Sequence, residues 1–78
     1  MDSYEATRLV LDELQRATSK FGSFKSSHEG YAVLLEEVDE LWEQVKRNPA
    51  KHTTRDAEMR KEAVQVAAMA MRFLVDIC

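Results

Sequence analysis

Glycine and proline are nearly absent from this sequence, with two of one and one of the other in 78 residues. Runs of β-branched residues are missing as well, so the composition reads as all-α. There is a single cysteine, Cys78, and it is the last residue, so no internal disulfide can form. A chain without a disulfide frame fits a reducing compartment, and a cytoplasmic location is the expectation. No apolar run reaches the ~18 residues needed to span a bilayer, so no membrane partner is expected. The opening residues, MDSYEATR, are acidic and polar, unlike a signal peptide. A basic excess is also lacking. With 11 Lys and Arg against 14 Asp and Glu the net charge is −3, which argues against a nucleic-acid partner. Residues 1–78 are expected to form one small domain. A chain this short buries only about 60% of the surface it exposes when unfolded, so it is marginal alone.

What is present is helical periodicity. In the stretch His28 to Lys46, Tyr31, Leu34, Leu35, Val38, Leu41, Trp42 and Val45 recur at threes and fours and trace a broad apolar stripe. Beside it lies the acidic run Glu36-Glu37-Val38-Asp39-Glu40. At about 100° per residue, Glu37 and Glu40 point within roughly 60° of each other. Two carboxylates ~6 Å apart at an effective dielectric of ~20 repel by about 3 kcal/mol, a cost that a cation would offset. A metal ion is the specific reading of that cluster, and a solvated acidic face bathed in salt is the plain one.

Three helices are expected, over about residues 3–19, 27–47 and 54–77. Asp2 with Glu5, and Ser26 with Glu29, have the spacing of capping boxes for the first two. Gly22 is placed to close the first helix, and Asn48-Pro49 to stop the second. Thr53, Thr54 or Asp56 can cap the third. On the first helix Ala6, Leu9, Val10, Leu14 and Ala17 share a face that Glu13 interrupts.

The third helix is apolar nearly all round from Ala63 onward, except along one line. Glu58, Glu62, Gln65, Met69, Arg72 and Asp76 are spaced 4-3-4-3-4 and form a polar seam in which only Met69 is apolar. A helix so greasy elsewhere needs more cover than two short partners give. The expectation is a homo-oligomer, a dimer or tetramer, with the third helix near its centre.

If the acidic run faces the polar seam, Glu37, Glu40, Glu62 and Gln65 converge. Oxygen ligands without His or Cys select Mg2+ or Mn2+ over zinc. Glu36-Glu37-Val38-Asp39-Glu40 matches E-E-x-x-E, and Glu62-Ala63-Val64-Gln65 nearly matches E-x-x-D. Together they resemble the MazG-like, all-α nucleoside triphosphate pyrophosphohydrolases, over roughly Phe21 to Asp76. The resemblance implies Mg2+-dependent hydrolysis of a nucleoside triphosphate to the monophosphate and pyrophosphate. It implies metal ligands at Glu37, Glu40 and Glu62, with a fourth position at Gln65, where the family pattern has Asp. It implies that aromatics ahead of the second helix hold the base, and Phe21 and Phe24 stand there. Many relatives have a fourth helix, which a neighbouring subunit would here supply. The alternative reading is a MazG-like helical module for oligomerisation or interaction, with its catalysis impaired.

Overall fold

The computed structural model describes residues 1–78 and places them in three helices, α1 (Ser3–Lys20), α2 (Ser27–Val45) and α3 (Arg55–Asp76), with no strand. The all-α expectation holds, with helix limits within two residues of those read from the sequence. No helix is long and apolar enough to cross a membrane.

The helix starts follow their capping residues. The Asp2 carboxylate accepts the Glu5 N–H at 2.8 Å, and the Ser26 hydroxyl accepts the Glu29 N–H at 3.1 Å. Glu29 reaches back one residue further than a standard capping box does, and accepts the Lys25 N–H at 3.0 Å. Thr54 caps α3 by position, without a side-chain hydrogen bond. The expected role of Gly22 is not realised. No glycine has a positive φ, and α1 ends when Phe21 turns extended after donating its N–H to the Ala17 carbonyl at 2.8 Å. A left-handed glycine is one way to close a helix, and an abrupt switch to extended backbone is another.

The α2–α3 turn is closed by a residue that local signals did not single out. Arg55 donates through Nε to the Gln44 carbonyl (3.3 Å) and through Nη2 to the Val45 carbonyl (2.9 Å). Both carbonyls belong to the last turn of α2, and the Gln44 one also accepts the Arg47 N–H at 3.2 Å. Within the turn, the Asn48 side chain accepts the Ala50 N–H at 2.9 Å, so the residue ahead of Pro49 organises the bend.

Arg55 thus ties the start of α3 to the end of α2, and Gly30 near the start of α2 lies against Phe73 near the end of α3. The two helices are antiparallel. α1 runs in the same sense as α3, since Leu9 shares a groove with Ala57 and Ala17 packs with Ala68 and Met69. α3 packs against both other helices, while α1 and α2 do not pack against each other. The core is small: Ala17, Phe24, Ala68 and Met69, flanked by Val10, Val33, Leu34, Phe73 and Ile77.

Gly30 is where the Phe73 ring of α3 packs directly on the α2 backbone. A Cβ there would lie 2.7 Å from Phe73 Cδ2 and 3.1 Å from Phe24 Cδ2, between two aromatic rings. Alanine is the better helix former by about 1 kcal/mol. Overpacking costs about 1–3 kcal/mol, so Gly30→Ala should destabilise by roughly 1 kcal/mol net. Nothing lies within 4 Å of a Cβ at Gly22, so Gly22→Ala serves as the near-neutral control in chemical denaturation.

Candidate functional site

Because α1 and α2 stand apart on α3, a cleft of about 530 Å3 opens between them. Its floor is the polar seam of α3, represented by Glu62, Gln65, Met69 and Arg72. Glu29, Val33, Glu37 and Glu40 of α2 form one wall, and Glu13, Arg16 and Ala17 of α1 the other. Phe21, Gly22 and Phe24, from the connection between α1 and α2, lie at one end. The 4-3-4 spacing that gave α3 a polar line thus lays it along the floor of the cleft between α1 and α2.

At the acidic end, one carboxylate oxygen each from Glu37, Glu40 and Glu62 lie within 4.8 Å of one another. Glu37 and Glu62 are half-buried and Glu40 is exposed. The helical i, i+3 relation aligns Glu37 with Glu40, and the antiparallel packing of α3 brings Glu62 to them. Desolvation, and then repulsion from Glu40, push the Glu37 carboxyl up from the ordinary 4.5 to about 7. Glu62 is raised for the same two reasons, partly offset by Lys61. One Glu37 oxygen, Oε2, is buried without a hydrogen-bond partner. Glu36 and Asp39 are exposed.

The α1 wall differs in character. Arg16 grips Glu13 with two hydrogen bonds, at 2.9 and 2.6 Å. That pairing, helped by the nearby Gln65 amide and the charge of Lys61, lowers the Glu13 carboxyl. Gln65 lines the cleft, one turn from Glu62 and near Glu13. Glu13, Arg16 and Lys61 are cleft residues that the motif and its spacing do not point to. Their one signal in the sequence is Glu13 as a polar break in an otherwise apolar face.

The two aromatics have different surroundings. Phe21 is 52% exposed at the rim, with Lys20 Nζ 5.5 Å from its ring centre. Phe24 is 7% exposed, and the Arg72 guanidinium stacks 4.4 Å from its centroid. A base meeting that face of Phe24 would have to displace Arg72, whereas Phe21 offers a free surface. Arg72 also donates to the Gly22 carbonyl and pairs with Asp76 at 3.6 Å, and Asp76 in turn accepts the Phe24 N–H at 2.9 Å.

The raised carboxyls give the metal-free protein a pH dependence of definite sign. Between 4.5 and about 7 the folded state holds the Glu37 proton while the unfolded chain has released it. The native state then binds more protons, so stability falls as pH rises through that window. Solvent reaches the cluster and screens the penalty, leaving about 1 kcal/mol between pH 5.5 and 8. Melting curves in chelator at the two pH values test this, and a higher melting point at pH 8 would contradict it.

Compared with protein-family models, with curated proteins and with solved structures, the chain matches none of them.

Proposed function

We propose that this chain is a Mg2+-dependent nucleoside triphosphate pyrophosphohydrolase working in the cleft between α1 and α2. The observation that carries the reading is the convergence of Glu37, Glu40 and Glu62 from two helices, within 4.8 Å. The resemblance of E-E-x-x-E and the near-match to E-x-x-D lends it a reaction. The donor set suits a hard cation. All donors are oxygens, the ligand type hard cations prefer, and Glu37 Oε2 lacks a hydrogen-bond partner within the protein.

In this reading Glu37, Glu40 and Glu62 hold the cation. When bound, Mg2+ neutralises phosphate charge and makes a coordinated water a better nucleophile at neutral pH. The chain's own residues do the rest. Lys61, exposed on the cleft wall, meets the polyphosphate. Arg16, fixed by Glu13, presents a second cation across the cleft. Phe21 gives the base a shelf, and Gln65 lies on the cleft floor beside Glu62. A water oxygen bonds to the α-phosphorus and its proton passes to solvent, the bridge to the β-phosphate breaks, and pyrophosphate leaves with that electron pair. The same reading has the chain complete its bundle with copies of itself, because only 6 of 78 residues are buried.

The test is pyrophosphate release from a panel of ribo- and deoxyribonucleoside triphosphates with Mg2+, alongside melting with and without the metal. Stacking on an aromatic is worth about 1–3 kcal/mol per base. Phe21→Ala should therefore raise KM on the order of tenfold with kcat little changed. No release from any nucleotide and no melting shift with Mg2+ or Mn2+ would favour the second reading, a non-catalytic helical interaction module. Gln65, standing where the family pattern has Asp, is the observation on its side.

A further inference from the structure

A second concavity, of about 340 Å3, lies between α1 and α3. It adjoins the cleft, for Glu13, Arg16, Lys61 and Gln65 line both. Beyond them the groove runs away from Phe21 and Phe24, between two lines of matched period. Leu9, Asp12 and Arg16 are spaced 3-4 on α1, and Ala57, Arg60 and Val64 are spaced 3-4 on α3. Each set shares one face of its helix, and the helices run in the same sense, so the two lines meet along the groove. Leu9 and Val64 are half-buried there, while Arg60 and Lys61 are exposed.

The two concavities are opposite in charge. The cleft sets five carboxylates against three cations, and the groove sets three cations against two carboxylates. Both groove carboxylates already have a partner: Arg16 binds Glu13, and Arg8 stands 3.9 Å from Asp12. Arg60 and Lys61 pair with no carboxylate. Adjacent cations without counter-charges repel, and an anion between them removes that cost. Arg16 adds to the set. It spends Nε and Nη2 on Glu13, which leaves the Nη1 donors for a ligand. Arg and Lys donors of this kind meet phosphate oxygens in charge-assisted hydrogen bonds. Lys61 stands at the junction, next in sequence to Glu62, so an anionic chain that starts at the carboxylate cluster passes Lys61 before it reaches Arg60.

We propose that the groove between α1 and α3 is a pyrophosphoryl site, in which Lys61, Arg60 and Nη1 of Arg16 bind two linked phosphoryl groups. In the hydrolytic reading above, on which this role rests, those groups are the β- and γ-phosphates of the substrate. Arg60 then sets the preference for a triphosphate over shorter chains, and the groove holds pyrophosphate as it departs. The substrate lies along α3 in one direction, with its base toward Phe21 and its phosphate end toward Ala57. Binding of pyrophosphate by itself requires only the groove.

Inorganic pyrophosphate titrated into the metal-stripped full chain, followed by amide 1H–15N shifts, reads the site directly. The shifts should fall on Leu9 to Arg16 and on Ala57 to Gln65. Arg60→Gln should weaken pyrophosphate binding about fivefold, the scale of one exposed charge contact. It should raise KM for the hydrolysed triphosphate by the same factor and leave inhibition by the monophosphate product unchanged. Lys25→Gln removes an equal charge from the connection at the far end of the cleft and should change neither. Shifts confined to the surroundings of Glu37, or an Arg60→Gln variant that behaves as Lys25→Gln does, would overturn the groove site. Turnover that ignores Arg60→Gln keeps the hydrolase and overturns the groove. Pyrophosphate bound at Arg60 without turnover of any nucleotide keeps the groove and overturns the hydrolase.

Discussion

Glu37→Gln is expected to lower kcat/KM for the hydrolysed triphosphate on the order of 10^2- to 10^3-fold, the scale seen when one preorganised electrostatic group is removed from a phosphoryl or acyl transfer site. The same substitution should make the metal-free protein more stable at pH 8. The Glu37 carboxyl is pushed to about 7 by burial and by Glu40, so ionising it at pH 8 opposes folding. A neutral amide of similar shape removes that opposition, worth about 1 kcal/mol once solvent screening is allowed for. The two effects together separate a metal site from an ordinary acidic surface. A solvated face would give no loss of turnover and no Mg2+-dependent melting shift to lose. A variant that retains full activity, or that melts below the parent in chelator at pH 8, would count against this assignment of Glu37. Sites of this kind commonly trade stability for function.

Arg72→Ala is expected to cost about 3–5 kcal/mol, the usual penalty for stripping one partner from a buried charge pair. A 78-residue domain has only about 4–12 kcal/mol in total at ~0.05–0.15 kcal/mol per residue. Arg72 is 6% exposed and ties α3 to the connection between α1 and α2 at two points. It stacks on Phe24, donates to the Gly22 carbonyl, and pairs with Asp76, whose other engagement is the Phe24 N–H. Without Arg72 the Asp76 carboxylate, whose side chain is 11% exposed, is left with one neutral donor. The double variant Arg72→Met, Asp76→Asn removes both charges and should cost less than Arg72→Ala alone. Arg72→Lys keeps the charge but loses the planar stack, and should fall between. Urea melts of the parent and the three variants check the order. A double variant less stable than the single would show that the pair, rather than the stranded carboxylate, dominates.

Periodicity made the helices legible, and it made the polar seam of α3 legible as well. Both are properties of one element and need no knowledge of its neighbours. The juxtaposition of Glu37 and Glu40 with Glu62 could also be anticipated, because a short turn forces consecutive helices to lie antiparallel and limits which faces meet. What the sequence hid depends on packing between distant segments. The place of α1 is one case: nothing local says that it sits on α3 while leaving α2 alone, and with it went the cleft wall of Glu13 and Arg16. Phe24 is another. Read as a loop aromatic it was free to hold a base, yet Gly30 leaves room for it to drop into the core beside Phe73, under Arg72. The α2 stripe shows the limit most plainly. A period says that a face is apolar but not which partner covers it, and here α3 covers only the half bearing Leu34 and Leu41.

The molecule is, mechanically, a helical hairpin carrying an outrigger. Its first eighteen helical residues are held by α3 along one side and by the Phe21–Ser26 tether, and by nothing from α2. Units with few neighbours open at lower free energy than the rest of a native structure. The outrigger can therefore lift while the hairpin, pinned by Arg55 at one end and by Gly30 against Phe73 at the other, stays shut. Amide protons of Leu9 to Ala17 would then be traded with solvent sooner than those of Leu34 to Leu41. A molecule entering between the two would need to part only the looser of its jaws.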